Sequence, residues 1–165
     1  MAIIDFLLPE FDHEMATTRK LLERVPAGKL GWKPHVKSMS LGQLASHLAG
    51  VPGWVAATVN EDSYDMKGDR AEPPEGTSPS DILATFDSNV AAARKAIALK
   101  TDAEFMAPWT LKRNGRDMFT MPKLSLLRSF MLSHSIHHRG QLSVYLRLND
   151  VPLPPVYGPT ADERG

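Results

Sequence analysis

At 165 residues and 18.2 kDa the chain suits one domain with one substantial core, and a second domain is not expected. Its 19 basic and 19 acidic residues cancel to a formal net charge of +0, so it lacks the overall field that draws proteins to nucleic acid or to an anionic membrane. With no cysteine it has no disulfide and no thiol nucleophile of its own, which fits a reducing cytoplasm and leaves thiol chemistry to an external thiol.

The first predicted element runs from about Ile3 to Val25, where Ile4, Leu8, Phe11, Met15, Thr18, Leu22 and Val25 recur at alternating fours and threes and trace one helix face. Its opening IIDFLL carries Asp5 and lacks the basic start and cleavage site of a signal peptide, and no apolar run in the chain approaches the length of a membrane span, so a soluble protein is expected. Glu14 falls inside the apolar stripe. An acid there needs a partner, as a general base, as an acceptor for an imidazole, or as an edge residue reaching solvent.

PAGKLGWKPHVKS interrupts the pattern, and Ser40 can cap a second helix through SLGQLASHLAGVPGWVAATVN, with a kink at Pro52. Glu61 to Ser80 reads as loop, and Ser80 as the cap of a third helix over DILATFDSNVAAARKAIALK. WTLKRNGRDMFT comes next, its Asn114-Gly115 pair suggesting a small type I′ hairpin. A fourth helix is predicted from near Pro122 to about Asn149, and VPLPPVYGP closes the chain without helix. Four long amphipathic helices with a small hairpin or irregular insertion before the last one give an all-α expectation, a four-helix bundle whose interior is a common place for metal sites. The dispersed basic pairs at Arg19-Lys20 and Arg94-Lys95, and KRNGR at Lys112 to Arg116, read as solvated faces rather than a nucleic-acid groove.

The fourth helix contains HSIHHRGQ, three of the six histidines in five residues. At about 100° per residue, His134 and His138 stand about 40° apart on the stripe of Leu127, Met131, Gln141 and Tyr145. His137 lies about 60° to the other side of His134, so the i, i+4 pair is the better chelate. His47 lies on the inward stripe of the second helix with Gln43, Val51 and Trp54 and is the candidate third ligand; a histidine satisfied by core hydrogen bonds is the competing reading. Gln43, Gln141 and Tyr145 share faces with these histidines and are candidates to orient a bound species or to pack beside it. His13 is expected to face solvent, His35 to bond to loop backbone, and His137 to border the core or pair with a neighbour. Glu10 and His13 form one outward Glu-x-x-His, where a di-iron bundle needs two inward copies and two more glutamates.

Taken together, TTRKLLERVP from Thr17, GWKPHVKSMSLGQLASHLA from Gly31 and HSIHHRGQLSVYLRLNDVPLPPVYGP from His134 resemble the DinB-like (DinB/YfiT) metal-binding bundles over nearly the whole chain, least between Glu61 and Lys100. The resemblance implies one divalent ion, zinc or nickel, held by His47, His134 and His138. It further implies a metal-dependent enzyme, a thiol-dependent transferase or a hydrolase in stress or detoxification metabolism, acting on a small molecule with a low-molecular-weight thiol. The alternative is a non-enzymatic stress-response module in which the ion is structural. Three neutral imidazoles would leave the charge of the ion uncompensated and acidify a bound water or thiol. Pairing of such bundles implies a homodimer, for which Leu21 and Leu126, read as apolar residues outside the core stripe, are the expected contacts.

Overall fold

The computed structural model describes residues 2–68 and 78–163. Helix α1 spans Ile4–Leu22 and buries Phe11, Met15, Thr18 and Leu22 of the face marked by the spacing of fours and threes, while Ile4 and Leu8 of that face are half-buried and Leu7 beside it is buried. It stops short of Val25 because Pro26 disfavours helical backbone in the residue before it; the turn tightens instead, with the Arg24 and Val25 amides bonding to the carbonyls of Leu21 and Leu22.

Ser40 caps α2 (Leu41–Gly50) in a reciprocal box, its hydroxyl accepting from the Gln43 amide at 3.1 Å while Gln43 Oε1 accepts from the Ser40 amide at 2.9 Å. Pro52 breaks the regular helix: a tight turn over Val51–Gly53 separates α2 from α3 (Trp54–Asn60). The long helix α4 (Pro79–Ala98) begins two residues before the expected start. Ser78 does the capping, accepting from the Asp81 amide at 3.1 Å, and Pro79 takes the first helical position, where its missing N–H costs nothing.

The described residues are mostly helical, as expected, but carry one strand more than the expected hairpin. Three strands, β1 (Ser63–Met66), β2 (Pro108–Arg113) and β3 (Arg116–Pro122), form one sheet in that order. The antiparallel pair β2–β3 is the hairpin expected around Asn114-Gly115, whose φ angles of 49° and 79° are those of the type I′ turn that Asn-Gly favours. Strand β1 lies in a stretch read as loop and pairs parallel to β2, with α4 and the short α5 (Asp102–Met106) between them in the chain. Four residues carry too little alternation to announce a strand; the open edge of the hairpin recruits them. The rest of that expected loop, residues 69–77, lies outside the described residues.

The last helical run is continuous: α6 (Lys123–Leu126), a π-helical segment (Leu127–Ser133) and α7 (His134–Arg147). Helices α1 and α2 each pack against both α4 and α7 around a core of Phe11, Leu22, Leu44, Leu48, Phe86, Ile97, Leu127 and Leu142. Leu21 and Leu126, expected outside the stripe, are buried, 0% and 5% exposed. Covered by both α4 and α7, α1 buries more than one stripe, while α6, which carries Leu126, is packed against α3 and α5. Neither residue is available to a second copy.

Candidate metal centre

Facing side chains meet where α2 and the last helix run antiparallel. Tyr145 Oη, near the end of α7, donates to the carbonyl of Met39, just before α2, at 3.4 Å; at the other end, α3 packs on the π segment. His47, late in α2, therefore comes level with His134 and His138 in the first turn of α7. The ring centroids stand 5.1 Å apart for His47 and His134 and 4.5 Å for each of the other two pairs. Each ring offers a nitrogen, all three within 4.8 Å of one another, and the Nε2 atoms of His47 and His134 are 2.8 Å apart. His138 is nearly buried, whereas His47 and His134 are half-buried, so one side of the cluster is within reach of solvent.

Gln141 determines what His138 can offer. Its Oε1 lies 2.7 Å from His138 Nδ1, and an amide oxygen only accepts, so this contact favours the tautomer protonated at Nδ1, in which Nε2 is the ring atom able to bind an ion. Donors of this kind can hold a metal ion, since a neutral imidazole with its outer nitrogen hydrogen-bonded is a common form of metal ligand. His137 is exposed and stays outside the group of three, although its ring stands 4.9 Å from that of His138.

The other residues singled out by the sequence have different partners. Gln43 turns its Oε1 back to the α2 cap. Tyr145 packs edge-on against Trp32, centroids 5.5 Å apart, with its hydroxyl on Met39. Glu14 is buried on α1 and paired with Arg139, Nη2 to Oε2 at 2.7 Å, while Tyr157 Oη donates to the same carboxylate at 2.8 Å. His13 is exposed, and His35 Nδ1 accepts from the Lys37 amide at 3.2 Å.

Sequence reasoning missed Arg139, which is 2% exposed yet charged. Its guanidinium donates to the Glu14 carbonyl at 3.1 Å and to Thr18 Oγ1 at 3.3 Å, besides the Glu14 carboxylate and Tyr157. The signal was Glu14 itself, an inward acid without an assigned partner. Arg139 and Tyr157 also line a cavity of about 230 Å³ with Leu21, Ile136, Gly140, Ser143 and Val156, on the side of α7 turned away from the histidines.

A model of the DinB family matches residues 5–164. The chain belongs to the DinB family. This DinB-family chain is 29% identical over 164 residues to "Uncharacterized protein YrdA" of Bacillus subtilis (strain 168), covering 97% of the chain and 91% of that protein. Its fold is similar to a DinB-like protein from Bacillus cereus ATCC 10987, with a TM-score of 0.71 and 24% identity over 94% of this chain and 98% of that one. A second similar structure is the DinB-like protein YjoA from Bacillus subtilis, with a TM-score of 0.69 and 21% identity over 96% and 98% of the two chains. Among the described residues, no helix is long and apolar enough to cross a membrane.

Proposed function

We propose that this DinB-family protein is a four-helix bundle that holds one divalent ion, zinc or nickel, through His47, His134 and His138, and that it works as a metal-dependent enzyme in the cytoplasm, a thiol-dependent transferase or a hydrolase in stress or detoxification metabolism. The observation that carries this reading is the convergence of three imidazoles with the tautomer of one fixed by Gln141. An ion held by neutral ligands keeps its full charge, and the chemistry it would supply is Lewis acidity toward a thiol or water. Residues of the chain do the rest. Gln141 keeps the His138 lone pair inward, and the half-buried rings of His47 and His134 leave a side open for a small substrate. The overall change for the transferase is a substitution: a sulfur–carbon bond forms, the bond from carbon to the leaving group breaks with its electron pair, and the proton of the thiol passes to solvent.

The test compares protein loaded with zinc or nickel, protein stripped by a chelator, and the His47→Ala variant, each mixed with a low-molecular-weight thiol and an alkylating electrophile while thiol loss is followed, and separately with an ester while release of its acid is followed. Turnover restricted to the loaded wild-type protein is expected. Tight metal binding without turnover of any thiol or ester offered would instead assign the ion a structural role.

A further inference from the structure

Sheet register places three apolar side chains in a row. Tyr64 pairs with Leu111, and Leu111 with Phe119, so the three stand side by side on one face of the sheet. Both ends of the row meet aromatic rings from the helices. Trp54 lies edge-on to Tyr64, centroids 4.9 Å apart at 88°, and Phe130 stacks on Phe119, centroids 5.5 Å apart at 22°. Such a row would normally be core, yet Trp54 is 53% exposed, Phe130 49% and Tyr64 38%.

Position gives the row its meaning. Trp54 opens α3 directly after the Val51–Gly53 turn that ends the His47 helix, Phe130 belongs to the π segment that runs into His134, and α3 packs on that segment. Since α2 and the last helix are antiparallel, both segments lie on the same side of the histidines, where α3 also meets β1. The half-exposed rings thus sit on the two segments that directly continue the histidine-bearing helices. No charged side chain belongs to the row, and the ring faces and edges match a flat apolar group.

We infer that the row of Trp54, Tyr64, Leu111, Phe119 and Phe130 is the subsite for a planar, apolar part of the substrate, an aromatic ring or an extended conjugated group, whose reacting atom lies at the three histidines. The inference rests on the metal-dependent reading above and narrows its substrate class to electrophiles or esters carrying such a group. The row holds and aims the substrate while the histidine cluster does the chemistry.

The test uses full-length protein loaded with cobalt(II), whose visible spectrum reports a new ligand on the ion, titrated with 1-methylimidazole and with 1-benzylimidazole. Both probes offer the same nitrogen; the second adds a phenyl ring. Wild-type protein is expected to bind the benzyl compound about tenfold more tightly, the worth of one good aromatic contact. Trp54→Ala and Phe130→Ala are each expected to reduce that preference several-fold without moving the affinity for 1-methylimidazole, and Trp54→Phe to retain most of it; unchanged circular dichroism confirms that the variants are folded. Equal affinity of the two probes for the wild-type protein, or a preference that survives both alanine variants, overturns the subsite while leaving the metal reading intact. Failure to bind cobalt, or a cobalt spectrum indifferent to 1-methylimidazole, overturns the metal reading and the inference with it. A wild-type dimer that Trp54→Ala converts to monomer in light scattering assigns the row to a second copy of the chain and likewise overturns the subsite.

Discussion

Single residues divide sharply between the two sides of α7. His138 and Gln141 act as a unit, because the amide oxygen selects which ring nitrogen keeps its proton. Gln141→Ala should therefore lower metal affinity about 10- to 100-fold, the usual cost of losing an outer partner of a ligand imidazole. Replacing His47, His134 or His138 with Ala should cost more, and should remove the rise in thermal stability that added metal gives; His137→Ala should change either quantity far less. Titration of the five variants at one pH, since ligand protonation competes with metal, checks this. Loss of binding in His137→Ala with retention in His138→Ala would contradict the assignment. On the opposite side, the Arg139–Glu14 pair is only 2% and 9% exposed at its side chains. Arg139→Met alone strands a buried carboxylate, expected to cost about 3 to 5 kcal/mol in denaturant unfolding, whereas adding Glu14→Gln should recover a good part of that. Tyr157 completes the group: desolvation of its hydroxyl, then the hydrogen bond to Glu14, pushes the phenol above its ordinary range.

Elements are governed at their ends. Thr101 and Glu104 form a capping box on α5, and hydrogen bonds from the Thr101 amide, then from its hydroxyl and from Lys100, hold the Glu104 carboxyl down at about 2 from an ordinary 4.5. A carboxyl that ionises more readily in the folded chain contributes its full stabilisation above about pH 4.5 and loses it as the pH falls toward about 2. Thermal melts across that window should show a shallower acid limb for Glu104→Gln than for the wild type; identical limbs would mean the box is not maintained in solution. Ser40→Ala should cost about 1 kcal/mol by removing the α2 cap, with the larger consequence that the helix bearing His47 frays at its start. Helix ends of this sort are legible in sequence because a short polar side chain has to sit at one position. The π segment is not: its residues Leu127–Ser133 carry an ordinary apolar spacing that does not distinguish i+5 from i+4 bonding.

For the whole molecule, local rules reached far but not everywhere. Periodicity located α1, α2, α4 and the last helical run, and the Asn-Gly pair located the hairpin, since each signal lies within a few neighbouring residues. The trio of histidines was legible from one i, i+4 pair plus one inward histidine on a second helix. Strand β1, the burial of Leu21 and Leu126, and the Arg139–Glu14–Tyr157 group escaped because each depends on a partner remote in sequence. Strand β1 has a further consequence, for the order in which the chain assembles. The β2–β3 hairpin closes a short turn and can form by itself, but Ser63 reaches Thr110 only after α4 and α5 have returned the chain to the sheet. Closing that long loop is offset by few contacts, among them the Asp65 carboxylate on the Gly115 amide at 3.1 Å and Lys123 Nζ on Asp62 at 3.1 Å. The parallel edge should consequently be the last part of the sheet to fold and the first to open. Native-state hydrogen exchange should find the amides that link β1 to β2 trading their protons well before those that link β2 to β3.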